Sequence, residues 1–213
     1  MKYKKLISLL TIIIIILSLF ASMYGIFSKS GQGNFEFKSL HGRTILIYGM
    51  GLYKNESVSM ATQARAQDIV TLCIGIPILL VTLYLARKGS LKWRLLLTGM
   101  IGYFLYTYFT YTFYSMYNPL YLIYIAIMSA SFFAFVLTMI GFNLKDMKSS
   151  FNPKLPVKFI GGVLIFISIA VALMWIKKIV TPLMSGSVPV ELEHYTTLVI
   201  QAIDLGFVLP AGI

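Results

Sequence analysis

Six stretches of this sequence are too long and too apolar for the elements of a soluble domain: Leu6–Phe27, Ile69–Ala86, Leu95–Tyr114, Leu120–Phe142, Phe159–Ile176 and Tyr195–Ile213. Each is close to the ~20 residues a helix needs to cross a bilayer core. Inside lipid every backbone polar group must be satisfied within the protein, so runs of this length can only be helices. Composition agrees: 58% of the 213 residues are hydrophobic and 12% are charged, about half the ~25% typical of a soluble domain. The predicted fold class is therefore all-α, a polytopic transmembrane bundle of about six helices with the N-terminus inside. It forms one membrane domain over residues 1–213, with helices at about 6–27, 59–86, 95–114, 120–142, 159–176 and 195–213 and an outer loop over 28–58.

The formal net charge of +11 raises the question of a polyanion partner, and its placement answers it. With the N-terminus inside and six crossings, the inner segments hold Lys2, Lys4, Lys5, Arg87, Lys88, Lys92, Arg94, Lys145, Lys148, Lys154 and Lys158 against one acid, Asp146. The outer segments hold seven basic residues against five acids, Glu36, Glu56, Asp68, Glu191 and Glu193. This is the positive-inside pattern, so the basic balance reports orientation, and nucleic acid is not an expected partner. Lys177 and Lys178 are a local exception. Met1–Lys5 is basic like the start of a secretory signal. However, the run behind it exceeds the 7–15 residues of such a signal, and Ala21-Ser22-Met23 is a poor cleavage site. An uncleaved first helix is expected. Cys73 is the single cysteine, which leaves no disulfide framework and no cysteine metal cluster; it reads as a small packing residue.

Within the outer loop, Lys29–Asn34 is polar and Gly-rich, whereas Thr44–Tyr53 is oddly apolar. The latter is expected to lie along the bilayer surface, or to cap the helix ends as a short extended lid. Asn55-Glu56-Ser57 fits a glycosylation sequon, with nothing to indicate a cell that uses it. Ser57 or Ser59 is a candidate N-cap, so the second helix should begin well above the membrane. Pro77 predicts a kink near Cys73–Pro77, and Pro210 should free the carbonyl of Gly206. Tyr117-Asn118-Pro119 predicts a tight antiparallel hairpin, and Asn143–Lys158 an inner basic loop. No internal repeat is present. Ile213 stops inside an apolar run with no basic flank, which favours a piece of a longer chain over a helix ending flush with the membrane.

The strongest pointer to a site is a polar stripe. His194, Thr197, Gln201 and Asp204 follow at intervals of 3, 4 and 3, which at ~100° per residue places them within roughly an 80° arc of one helix face. Asp204 would lie near the bilayer midplane, where an ionisable group marks a site by default. Two readings stay open: a proton or cation relay running inward from His194, or a hydrogen-bonded aspartate that clamps helices together. At the outer mouth Asp68, Gln67, Glu191, Glu193 and His194 gather, with His41 and Arg65 in the same region. His194, Glu191 and Glu193 are weak metal candidates because Glu-x-Glu-His is no zinc signature, and no metal is predicted.

The third helix carries Tyr103, Tyr106, Thr107, Thr110, Tyr114 and Tyr117 within ~100° of arc. Its outermost tyrosines suit an interfacial belt. Tyr103 and Tyr106 lie too deep for that, so they should face the interior, where they either line a cavity or pack plainly. Such a cavity would suit a small apolar or cationic ligand. There is no phosphate loop, no nucleophile elbow and no paired-cysteine redox site, so no cofactor is predicted and catalytic residues are unknown. Three functions follow: outward-facing binding or translocation of a small or lipid-like ligand, proton-coupled through Asp204; an intramembrane enzyme using the His194–Asp204 face; or a structural partner. The expected partners are the lipid bilayer and such a ligand.

Two phrases, from Gly51-Leu-Tyr-Lys-Asn55 through Gln67-Asp-Ile-Val-Thr-Leu72 and Glu193-His-Tyr-Thr-Thr-Leu-Val-Ile-Gln-Ala-Ile-Asp-Leu-Gly206, resemble an uncharacterised family of bacterial multi-pass membrane proteins, as does Tyr117-Asn-Pro-Leu120. The resemblance runs from about residue 42 onward. It implies a multi-pass protein of the bacterial inner (cytoplasmic) membrane that continues past Ile213. It carries no established activity and no catalytic residues.

Overall fold

The computed structural model describes residues 3–143, 147 and 150–213. Lys2 of the basic N-terminus and Lys145, Asp146 and Lys148 of the expected inner loop lie outside the described residues. The chain packs as two units: residues 1–35 with 46–150, and residues 36–45 with 151–213.

The first unit is built from four helices: α1 (Lys4–Phe27), α2 (Val58–Ala86), α3 (Leu91–Phe113) and α4 (Tyr121–Ile140). α1 packs on α4, and both helices bury small side chains, Ser18, Ala21 and Ser22 on α1 and Ala130, Ser131 and Ala134 on α4. Small residues let two backbones approach where lipid supplies no hydrophobic drive for association. α3 and α4 form the expected hairpin. Its turn is fixed by Asn118, whose Oδ1 accepts from Leu120 N at 2.9 Å. At the opposite end Arg94 donates to the carbonyl of Gly141 at 2.7 Å, tying the start of α3 to the end of α4. Buried Thr11, Thr82, Thr98 and Thr112 return their hydroxyl protons to carbonyls one turn earlier, which lets polar side chains sit in an apolar bundle.

Ser57 is the N-cap of α2, its hydroxyl accepting from Met60 N at 3.2 Å. The helix then runs to Thr71–Gly75, where it widens into a π-turn before resuming at Ile76. The cause is Pro77, which has no N–H for the carbonyl of Cys73 and pushes that carbonyl away. The expected distortion is thus a π-turn. Cys73 is exposed, not a packing residue, because it falls on the outward face of α2.

Between α1 and α2 the chain is more ordered than its polar start predicts, and it adds a two-stranded antiparallel hairpin, β1 (Phe35–Lys38) and β2 (Thr44–Ile47), to an otherwise helical fold. The apolar stretch that follows packs down: Ile47, Leu52 and Tyr53 are buried. Two glycines allow the chain to double back. Gly49 and Gly51 have φ of 68° and 60°, and a Cβ on either would meet the backbone of Gly33 or Ser28. Leu52 N donates to Ser28 Oγ at 2.7 Å, and buried Glu56 accepts from Met116 N at 2.7 Å. This segment is a cap fastened to the ends of α1 and α3.

The second unit holds α5 (Val157–Met184), a single 3-10 turn at Val190–Leu192, α6 (Val199–Gly212) and the β-hairpin tip, residues 36–45. α6 lies so close to α5 that a Cβ on Gly212 would overlap Ser168 Oγ. α6 also contains a π-turn, Asp204–Val208, and Pro210 follows it as Pro77 follows the first.

Among the described residues four helices are long and apolar enough to cross a membrane: α1, α2, α4 and α5. α3 has the length, 23 residues, but its threonines and tyrosines dilute it, and α6 is short. Large apolar side chains are exposed along α1, α2, α4 and most of α5. Water would not tolerate so much of them, and lipid does.

Gly25 is where α1 passes the buried Asp68, and a Cβ there would overlap Asp68 Oδ2 and come to 3.0 Å from the Tyr53 hydroxyl. Gly25→Ala is therefore expected to destabilise the detergent-purified protein by about 1–3 kcal/mol, the usual scale of core overpacking. Thermal unfolding beside Gly99→Ala, whose added Cβ meets open space, measures this; equal melting temperatures would contradict it.

Candidate functional site

Asp68 faces the interior of the first unit, 2% exposed, about three turns below the N-cap of α2. A carboxylate there demands donors. Tyr53, inserted from the cap, donates to Oδ2 at 2.6 Å. Tyr111 of α3 lies 3.3 Å from Oδ1, but its single proton is shared with the closer carbonyl of Ala64 at 2.9 Å. Arg65, one turn earlier on α2, donates to the Tyr48 hydroxyl at 2.7 Å, and Asp68 has no ion-pair partner among the described residues. Burial pushes the Tyr53 phenol well above its ordinary range, with Tyr111 and Tyr124 next in effect, so Tyr53 is a neutral donor at any physiological pH.

Around this centre the aromatic rings close into a cage. The Tyr111 ring lies 6.4 Å from Tyr53, 5.6 Å from Tyr108 and 5.2 Å from Tyr124, and Tyr108 and Tyr124 are 5.9 Å apart. Ser22 of α1 faces the Tyr108 hydroxyl without reaching hydrogen-bond geometry. The hydroxyls of Ser22, Tyr108 and Tyr124 are fully buried and have no hydrogen-bond partner among the described residues.

On an adjacent face of α2 a second network forms. Gln67 Nε2 donates to the Tyr103 hydroxyl at 2.6 Å, and Tyr103 shares a 2.8 Å hydrogen bond with Thr71, the first residue of the π-turn. Gln67 and Tyr103 thus come together, next to Asp68 in sequence but separate from its hydrogen bonds. Tyr106 instead points outward, 39% exposed, which corrects the expectation that it lines the interior. The buried face of α3 is Phe104, Tyr108 and Tyr111, one residue around the helix from the predicted stripe.

The polar stripe of the last run is also corrected. α6 begins at Val199, so His194 and Thr197 lie outside it in a turn and a bend. Glu193 has φ of 45°, a left-handed conformation no helix continues through, and Thr196 and Thr197 are β-branched, poor starters of a helix. Thr197 is exposed. His194 packs edge-on against Phe37, and His41 donates from Nε2 to the Tyr195 carbonyl at 3.1 Å. Only Gln201 and Asp204 share a helix face. Gln201 is buried with its Oε1 unpartnered among the described residues. Asp204 is half-buried and accepts from Trp175 Nε1 at 2.9 Å. Lys178 lies over the Trp175 ring at 5.1 Å and pairs with Glu191 at 2.8 Å, so this weak metal candidate faces a lysine. Among the described residues no three His, Cys, Asp or Glu side chains converge as metal ligands.

The predicted site residues therefore divide: Asp68, Gln67, Tyr103 and Tyr106 belong to the first unit, and His194, Thr197, Gln201 and Asp204 to the second. Tyr53, Tyr108, Tyr111 and Trp175 were not singled out by sequence. For Tyr108 and Tyr111 the signal was the spacing Phe104, Tyr108, Tyr111 at intervals of 4 and 3.

Fold and site together define a mostly helical protein with membrane-length helices and a buried carboxylate in one of them. The chain matches no protein-family model, no curated protein and no solved structure.

Two measurements follow from these contacts. Tyr53→Phe keeps the ring but leaves Asp68 without its short hydrogen bond, and should lower stability by about 1–3 kcal/mol, whereas Tyr117→Phe, at a side chain 78% exposed, should leave the melting temperature unchanged. Glu191 is held below the ordinary glutamate range, chiefly by its hydrogen bond from Lys178. A group with a depressed folded value stabilises above its unfolded value and loses that contribution as pH falls through the folded one. Below about pH 4 the wild type should therefore lose its advantage over Glu191→Gln in a thermal melt. The 43% and 28% exposure of the partners keeps the effect small.

Proposed function

We propose that this chain is a multi-pass protein of a bacterial cytoplasmic membrane, with six crossings and the N-terminus inside, that binds or translocates a small or lipid-like ligand reached from the outer side. The observation that carries this reading is Asp68, a carboxylate held inside a membrane-length helix beneath a cap made by the outer segment. A carboxylate buried this completely is costly, and where it persists it commonly marks a ligand or ion site. The asymmetry of basic residues supports the orientation. Asp204, with Gln201 one turn before it and Trp175 as its donor, is the proposed site of proton coupling. The π-turns beside Thr71 and at Asp204 supply places where the helices can bend.

A second reading, a structural partner, has its own support. Each aspartate already accepts from an aromatic donor on another segment, as a helix clamp does. The enzyme reading loses the feature that motivated it, because His194 and Asp204 do not lie on one helix.

Proteoliposomes with an internal pH dye separate the two. Quaternary amines and short amphiphiles, added outside wild-type vesicles, should evoke proton movement that Asp204→Asn abolishes while its melting temperature stays near wild type. If no compound evokes proton movement and Asp204→Asn only lowers the melting temperature, the structural reading stands instead.

A further inference from the structure

The Asp68 cage holds more oxygen than its own hydrogen bonds use. Asp68 offers four lone-pair positions. Tyr53 fills one, and the Tyr111 proton is divided between Asp68 and Ala64. Around it, the hydroxyls of Tyr108, Tyr124 and Ser22 are buried to 0–1% residue exposure and none reaches hydrogen-bond geometry, although Ser22 faces Tyr108, and Tyr124 faces Tyr53 and Asn118. Orphaned buried hydroxyls are rare in folded proteins, and each asks for a missing partner. Both sets have unused lone pairs, which a cation takes from each of them, while the hydroxyl protons turn to neighbouring oxygens, as between Ser22 and Tyr108.

We propose that the Asp68 carboxylate and the surrounding tyrosine and serine hydroxyls form a binding site for one alkali cation, Na⁺ or K⁺. Hard cations take oxygen ligands, and oxygen is what Asp68, Tyr53, Tyr108, Tyr124 and Ser22 present. The charge is set by the carboxylate count. Asp68 is the carboxylate hydrogen-bonded within the cage and balances one positive charge, while Glu56 keeps its own charge and is turned to Met116 N. Arg65 does not compete, because its guanidinium is turned to Tyr48. The site lies under the Tyr53 cap, so entry requires that Tyr53 lift from Asp68. This inference takes the Asp68 centre from the proposal above and does not need translocation.

The test is thermal unfolding of the full chain in detergent, followed by its intrinsic fluorescence, in NaCl, KCl or choline chloride at equal ionic strength. Na⁺ or K⁺ is expected to raise the melting temperature saturably over choline. Asp68→Asn should abolish the rise. Tyr124→Phe removes one orphan hydroxyl and no hydrogen bond, and should weaken the apparent affinity about tenfold, the scale of one lost polar ligand. It also decides the matter should Asp68→Asn fail to fold. Identical melting in all three salts would overturn the proposal, leaving water or a proton in the cage. So would a saturable rise that survives Asp68→Asn, or a Tyr124→Phe affinity equal to wild type. An intact cation response in vesicles that move no protons would sink the translocation reading alone.

Discussion

The first unit depends on the hydrogen bond from Tyr53 to Asp68. A carboxylate buried between helices would otherwise oppose their packing by several kcal/mol. One phenol from the outer segment meets it, and much of the surrounding structure exists so that this can happen. Gly25 gives α1 no side chain where the two oxygens meet. Gly49 and Gly51 turn the chain so that Tyr53 enters the bundle and does not lie on its surface. Ser28 and Glu56 pin the segment on either side, through Leu52 N and Met116 N. Ser57 then starts α2 with Asp68 on the inner face. The cap is thus fastened at a polar point inside the bundle as well as at its rim.

Two prolines shape the helices that carry the aspartates. In each case a five-residue π-turn precedes the proline, Thr71–Gly75 before Pro77 and Asp204–Val208 before Pro210. Proline has no N–H to donate to the carbonyl four residues back, and the wider turn relieves the clash of its ring with that carbonyl. A carboxylate or its polar neighbour occupies the start of each widened segment: Thr71, bonded to Tyr103, in one and Asp204, bonded to Trp175, in the other. Where the backbone ladder is loosened, side-chain hydrogen bonds hold the turn.

The long apolar helices, the Ser57 cap, the Asn118 hairpin and both proline distortions were legible because each is written in local sequence: run length, a capping hydroxyl, a missing N–H. The inward face of α3 was not. In a soluble helix the polar side faces water and fixes the rotation, but here the exposed side is apolar and aromatic too, so Tyr106 looks as buried as Tyr108. The stripe from His194 to Asp204 failed for a different reason. Helical spacing was present, but backbone conformation at Glu193 and the β-branched pair Thr196-Thr197 stop a helix that side-chain periodicity alone would extend. Tyr53 was out of reach because its partner lies in another element, and only the unusual apolarity of Thr44–Tyr53 hinted that the segment was not in water.

The balance of donors and acceptors bears on what a buried aspartate of this kind is for. A clamp is complete when its donors are spent on its acceptors, and in the second unit Trp175 is aimed at Asp204 and Lys178 at Glu191, although Gln201 Oε1 keeps no partner among the described residues. The Asp68 cage is not complete in that sense. Phenylalanine at Tyr108 and Tyr124 would give the same ring packing without burying a hydroxyl, and alanine at Ser22 the same close approach of α1. Unpaired hydroxyls oppose folding by roughly 1–3 kcal/mol each, so a purely structural core has no physical reason to hold three of them around a carboxylate. Oxygen gathered in this way is what the proposed cation would use, and it sets the Asp68 cage apart from a single hydrogen bond that only joins two helices.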